Sequence, residues 1–169
     1  MAEVRKERPG DEEAIRHVNE QAFAGPKEAD LVDALRKRNA VALSMVALEN
    51  DNIVGHILFA EVAIDQTAHE LRALDLGPMA VLPPYQRRGI GSQLVRIGLD
   101  ECRRQGHEIV VVVGYPDFYS RSGFTPAKLL GIECEFDVPD EAFMVFELHE
   151  NALRGAKGIV RYMPEFRHI

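Results

Sequence analysis

The run Pro83-Pro84-Tyr85-Gln86-Arg87-Arg88-Gly89-Ile90-Gly91-Ser92 combines the residue types that hold phosphate. Its glycines let the backbone turn tightly and bring N–H groups close to a ligand. A long helical pattern follows it, and such a helix aims unpaired amides and a positive dipole end at the same place. Arg87 and Arg88 add forked cationic donors that match phosphate oxygens. A tight strand-to-helix turn with two solvated arginines would use the same residues, so spacing alone leaves both readings open.

Three ligand classes use such a loop. A Walker-type nucleotide loop requires a Gly-Lys-Ser/Thr ending, which is absent here. A dinucleotide loop requires Gly-x-Gly-x-x-Gly in repeated strand–helix–strand units and an acidic residue about twenty positions on. The third class holds the pyrophosphate of coenzyme A.

The elements around the run narrow the choice. Glu3 to Glu7 alternates weakly and reads as an edge strand, and Asp11 is placed to cap a helix bearing Ile15, Val18, Ala22 and Phe23 on one face. A second helix, Lys27 to Lys37, carries Leu31, Val32 and Leu35. Val41–Leu48 and Ile53–Ile64, joined by Glu49-Asn50-Asp51-Asn52, predict a hairpin. The Ile53–Ala60 half is apolar on both faces, which suits the middle of a covered sheet. A polar loop over Gln66 to Glu70 leads to a third long strand, Leu71 to Leu82, interrupted by Gly77-Pro78. Proline cannot donate to a ladder and glycine weakens one, so a bulge or local splaying is expected there. Ile90, Leu94, Ile97, Gly98 and Cys102 trace one helical face, and Ile109–Val113 is a buried strand parallel to its predecessor. A short helix spans Pro116 to Ser122 and is closed by Gly123, and one further strand, Ala142 to Leu148, lies in an otherwise irregular ending. Only one right-handed crossover is present, preceded by an antiparallel hairpin, which argues against the dinucleotide class.

Composition bounds the setting. The chain has 169 residues, 46% hydrophobic and 28% charged, and is read as a single domain over 1–169. Its net charge of −7 and pI of about 5.4 argue against a nucleic-acid partner. No apolar stretch reaches the roughly 20 residues of a membrane span, and the charged start is no secretory signal, so a cytoplasmic location is expected. Cys102 and Cys134 have no metal-ligand spacing and no paired histidine, so both read as structural and no metal is called for.

The order of elements, with Gln86-Arg87-Arg88-Gly89-Ile90-Gly91 opening a helix and Tyr119-Ser120-Arg121-Ser122-Gly123-Phe124 following the next strand, resembles the GNAT superfamily of N-acetyltransferases. That family's loop pattern, Gln/Arg-x-x-Gly-x-Gly/Ala, is matched in full. Leu76 to Val81 and Val138 to Val145 look like its small bacterial predicted-acetyltransferase branch. The resemblance covers most of the chain. It implies an α+β fold: a mixed, mostly antiparallel sheet splayed between its fourth and fifth strands, with helices on both faces.

It also implies acetyl-CoA as acetyl donor and a primary amine as acceptor. Met79, Ala80 and Val81 would meet the pantetheine arm, the backbone of Met79 and Val81 pairing with its amides. Gln86, Arg87, Arg88, Gly89, Ile90, Gly91 and Ser92 would form the pyrophosphate loop, and the Val81 N–H would face the developing oxyanion. Tyr119 sits where the family's thiolate-protonating tyrosine falls, and an ordinary phenol, with a pKa of about 10, has a proton to give. The alternative for Tyr119 is a ring that only packs under the ligand.

The general base is open among Glu61, Glu28, Asp30, His56 and water, with His56 also readable as a satisfied core group. Residues 25–40 and those after 127 would shape the acceptor pocket without naming the acceptor. Many members of the family pair, so a homodimer is among the expectations. The competing readings are a non-catalytic acyl-CoA sensor or partner subunit of the same fold, and a nucleotide-binding module.

Overall fold

The computed structural model describes residues 2–65 and 70–168. Strand β1 (Glu3–Lys6) is followed by helices α1 (Glu12–Phe23) and α2 (Lys27–Arg38), then strands β2 (Val41–Glu49), β3 (Asn52–Asp65) and β4 (Ala73–Val81). Helix α3 (Ile90–Arg104), strand β5 (Ile109–Val113) and helix α4 (Pro116–Arg121) come next. The ending holds β6 (Thr125–Pro126), β7 (Ile132–Cys134), β8 (Phe143–Glu147) and β9 (Gly158–Arg161). Of the polar loop expected over Gln66 to Glu70, residues 66–69 lie outside the described residues.

Hydrogen-bonded strands follow the order β1-β2-β3-β4-β5-β8-β6, with β9 bonding β3 and β7 off that path. The β4–β5 and β7–β9 ladders are parallel, and β1–β2, β2–β3, β3–β9, β5–β8 and β6–β8 are antiparallel. This is the mixed α+β sheet expected. The hairpin turn places Asn50 at φ 50° and Asp51 at φ 64°, the paired left-handed geometry of a type I′ turn, which asparagine and aspartate tolerate. Residues 1–60, 77–98 and 164–169 form one compact unit, and residues 61–76 and 99–163 form a second. Among the described residues no helix is long and apolar enough to cross a membrane.

In the first unit, β3 is buried without interruption from Val54 to Ala60. Alternate side chains leave a strand on opposite faces, so this strand must be covered twice. His56 meets Asn19 of α1, while Phe59 lies under Gly98 of α3. A β-carbon at Gly98 would fall 2.7 Å from the Phe59 ring, so glycine is what lets helix and strand approach this closely. Helices therefore cover both faces, as expected.

Several local expectations are corrected. Phe23, assigned to the buried face of α1, is 40% exposed, because the helix ends there with Ala24 left-handed. On α3 the buried positions are Ile90, Leu94, Val95, Leu99 and Cys102, with Ile97 only half-buried. Asp11 sits at the start of α1 but does not cap it: its carboxylate accepts from Arg5 and the Arg8 N–H, both at 2.8 Å. The ending is more ordered than expected, since β7 and β9 pair with one another and β9 extends the far half of β3. Gly77-Pro78 does not break β4, which runs through it to Val81. The β4–β5 ladder, however, covers only Ala73↔Ile109, Leu74↔Val110 and Asp75↔Val111, stopping just before that pair.

Candidate active site

The phosphate-binding candidates all fall in the first unit. Leu82 donates to Val54 O at 2.8 Å, ending β4 against β3, and Pro83–Tyr85 then forms one 3-10 turn. Prolines suit that position because they supply a helical φ and have no N–H to leave unpaired. The turn throws Gln86 back so that its Nε2 donates to Val81 O at 2.8 Å. Arg87 at φ 64° and Gly89 at φ 85° are both left-handed, an arrangement that turns successive N–H groups toward one side. A β-carbon at Gly89 would meet nothing within 4 Å, so glycine serves the backbone angle there.

The first helical bond runs from Gln93 N–H to Gly89 O at 3.0 Å. The amides of Ile90, Gly91 and Ser92, one turn earlier, have no acceptor within the helix. They form the positive end of a helix of 15 residues. The Gln93 side chain also donates to Ala2 O at 2.7 Å, tying the first turn of α3 to the residue just before β1. Arg88 lies over the Tyr85 ring, 5.4 Å from its centre, and 4.0 Å from the Glu49 carboxylate, with 59% of its side chain exposed. Upstream, Ala80 and Val81 are buried and Met79 is half-buried.

His56 belongs to the first unit and is fully buried. Ser44 Oγ donates to Glu7 at 2.6 Å, so it accepts from His56 Nε2 at 3.0 Å. That leaves Nδ1 as acceptor for Asn19 Nδ2 at 3.1 Å, whose second proton goes to Ile15 O. Arg36 closes the chain by donating to Glu7 at 2.8 Å. Burial, and secondarily the Arg36 charge, pull the His56 pKa down to about 3. The ring is a neutral, fully bonded core group and has no lone pair to offer an acceptor. Asp30 is taken by Arg16 at 2.8 Å, and Glu28 is half-buried on α2.

Tyr119 belongs to the second unit. It sits on α4, its N–H bonded to Tyr115 O, and is 7% exposed. Its ring folds back against Gly114, at a place where a β-carbon would collide with it. Phe118 and Phe124 meet the ring edge-on at 4.9 and 5.5 Å, so the phenol is held in one orientation. Burial first, and then the Asp75 charge, raise its pKa above the ordinary 10.0, so the hydroxyl stays protonated at neutral pH. Glu61 is exposed in this unit, and its charge is felt by His107. Cys102 is fully buried, its thiol pushed up to about 12, and Cys134 is also raised by burial; neither is a nucleophile at neutral pH.

One residue escaped sequence reading. Asp75 is 4% exposed in β4, and burial holds its carboxyl pKa well above the ordinary value. The signal was available: Asp75 is the one acid between Leu71 and Leu82 in an otherwise mostly apolar strand.

Residues 3–127 match the family model described as an acetyltransferase (GNAT) domain. The chain is 33% identical over 167 residues to YhbS of Escherichia coli K12, an uncharacterized N-acetyltransferase, covering 98% of this chain and 99% of that one. The crystal structure of E. coli YhbS in complex with CoA superposes with a TM-score of 0.93 at 32% identity, over 98% of this chain and 92% of that one. A GNAT family acetyltransferase from Brucella melitensis in complex with acetyl-CoA gives a TM-score of 0.81 at 34% identity, over 98% of both chains.

Proposed function

The chain belongs to the GNAT acetyltransferase family, and we propose that it moves an acetyl group from acetyl-CoA to a primary amine by direct attack on the thioester. The observation that carries this reading is the turn from β4 into α3. Left-handed Arg87 and Gly89, and the amides of Ile90, Gly91 and Ser92 without helical acceptors, form a backbone cradle for a pyrophosphate. Two solved structures similar to this chain are complexes with CoA and with acetyl-CoA, which supports the same ligand here.

The thioester supplies an activated acetyl group, and the chain's residues supply the rest. Gln86, Arg87, Arg88, Gly89, Ile90, Gly91 and Ser92 hold the pyrophosphate, and Met79, Ala80 and Val81 align the pantetheine arm along the end of β4. The Val81 N–H stabilises the oxyanion as the amine adds. Tyr119 gives its hydroxyl proton to the departing sulfur. An ordinary phenol is already protonated at neutral pH, so the proton is there to give; the upward shift makes Tyr119 a weaker acid, and the transfer depends on the sulfur lying within hydrogen-bond reach of the hydroxyl. With His56 locked in the core and Asp30 ion-paired, the base that accepts the amine proton is Glu61, Glu28 or a water.

The test is a screen of acetyl-CoA turnover, read as free thiol, against polyamines, amino acids, aminoglycosides and N-terminal peptides. Steady thiol release with at least one amine is expected. Tight acetyl-CoA binding with no release for any acceptor would instead mark an acyl-CoA sensor. A thermal shift with ATP but none with CoA would mark a nucleotide-binding module.

A further inference from the structure

The two arginines of the turn between β4 and α3 are held differently. Arg87 makes no side-chain hydrogen bond or ion pair with a described residue. Arg88 has two neighbours: its guanidinium carbon lies 5.4 Å from the centre of the Tyr85 ring, and its Nη1 lies 4.0 Å from Glu49 Oε2. All three residues belong to the first unit. A separation of 4.0 Å is too long for a hydrogen bond, so Glu49 holds Arg88 by charge alone. The Arg88 side chain is 59% exposed and that of Glu49 26%, so the arginine is the partner with room to move.

The backbone fixes where Glu49 stands. It is the last residue of β2, in register with Asn52 across the turn whose Asn50 and Asp51 are left-handed. Glu3, which pairs with Leu48, and Asp51 line the same recess as Glu49, so three carboxylates stand together there. A guanidinium already facing one carboxylate attracts a second anion less. Moving it onto a phosphate also leaves Glu49 without its counter-charge beside two other acids. An arginine shared between Glu49 and a phosphate would be anchored to the carboxylate by a hydrogen bond, and at 4.0 Å there is none.

Resting on the acetyl-CoA reading above, we propose that Glu49 competes with the pyrophosphate for Arg88 and so shortens the stay of the spent CoA. Glu49 is then a positioning residue that acts through Arg88. The pyrophosphate is the same in acetyl-CoA and in CoA, so a hold on it tightens substrate and product alike and does nothing for the chemical step. A stronger hold slows only the departure of product. As the ligand leaves, the guanidinium returns to Glu49 and the Tyr85 ring, and no covalent bond changes.

The experiment compares wild type, Glu49→Gln, Arg88→Gln and the double variant. Calorimetry gives the Kd of CoA and of acetyl-CoA, and stopped-flow displacement gives the rate of CoA release. Glu49→Gln is expected to tighten both ligands about two- to five-fold and to slow CoA release by a similar factor. The Tm of the ligand-free protein stays unchanged. With an accepted amine, the acetyl-CoA KM falls while the single-turnover rate stays that of wild type. In the Arg88→Gln background, Glu49→Gln changes nothing, because the group it acts through is gone. Unchanged or weaker binding in Glu49→Gln overturns the proposal. So does an equal gain in the Arg88→Gln background, which would mean that Glu49 repels the phosphates directly. Each of these results leaves acetyl transfer intact. A wild-type chain that binds neither CoA nor acetyl-CoA overturns the acetyl-CoA reading and this proposal with it.

Discussion

The Gln86 side chain donates to the Val81 carbonyl across five residues, closing the 3-10 turn between strand and helix into a ring. The bond fixes where Arg87 and Gly89 begin their left-handed path, so on the proposed acetyl-CoA reading it shapes the backbone part of the pyrophosphate cradle. Replacing Gln86 with alanine removes a part-buried bond worth about 1 kcal/mol. Acetyl-CoA binding, measured by calorimetry, is expected to weaken roughly five-fold with little change in kcat. Gln86→Glu loses the donor and adds a negative charge beside the phosphates, and is expected to weaken binding further.

Tyr119→Phe keeps the ring against Gly114, Phe118 and Phe124, so it removes the hydroxyl and little else. A kcat lower by roughly 10²- to 10⁴-fold is expected, with acetyl-CoA affinity nearly unchanged. Unaltered turnover would reduce Tyr119 to a packing residue.

His56 makes stability depend on acid. Its pKa is about 3 in the folded chain against an ordinary 6.5, so the unfolded chain binds the extra proton first. The contribution is present in full above pH 6.5 and is lost as pH falls from there toward 3, amounting to about 5 kcal/mol at most. Urea midpoints measured from pH 7 to pH 4 are expected to fall steadily. A His56→Gln variant is expected to start less stable and show a flatter decline.

Gly98→Ala tests the seating of α3 on β3. The added methyl would lie 2.7 and 2.8 Å from two carbons of the Phe59 ring. Overpacking of this kind costs roughly 1–3 kcal/mol. A fall in Tm of roughly 3 to 10 °C is expected for a chain of this size. If the melting temperature stays put, the helix is not pinned there.

Much of this architecture was readable from residue order, because periodicity reports burial directly. The two-sided apolar run of β3 placed it mid-sheet, and Asn50-Asp51 named its hairpin turn. The tight turn from Gln86 to Ser92 was legible because glycines set just before a helical pattern mark a sharp strand-to-helix turn. The β7 and β9 strands were not legible: they hold three and four residues, and only their pairing with each other and with β3 makes them strands. The interruption expected at Gly77-Pro78 was real in its effect on the β4–β5 ladder but not on β4 itself. Whether an acid such as Asp11 caps a helix or binds Arg5 is decided by a neighbour brought in by folding, and the burial of Asp75 likewise depends on elements distant in the chain.

Cys134 and Tyr162, which share a neighbourhood with Asp75 and Tyr119, both lie past residue 127, where the match to the acetyltransferase domain ends. On the proposed acetyl-transfer reading, the grip on the donor is encoded in one stretch of chain and part of the electrostatic surroundings of Asp75 in another. On that reading, substitutions in the later stretch alter those surroundings without loosening the hold on the nucleotide end of the ligand. In such a layout affinity for the shared donor and reactivity toward a particular acceptor are separately heritable traits.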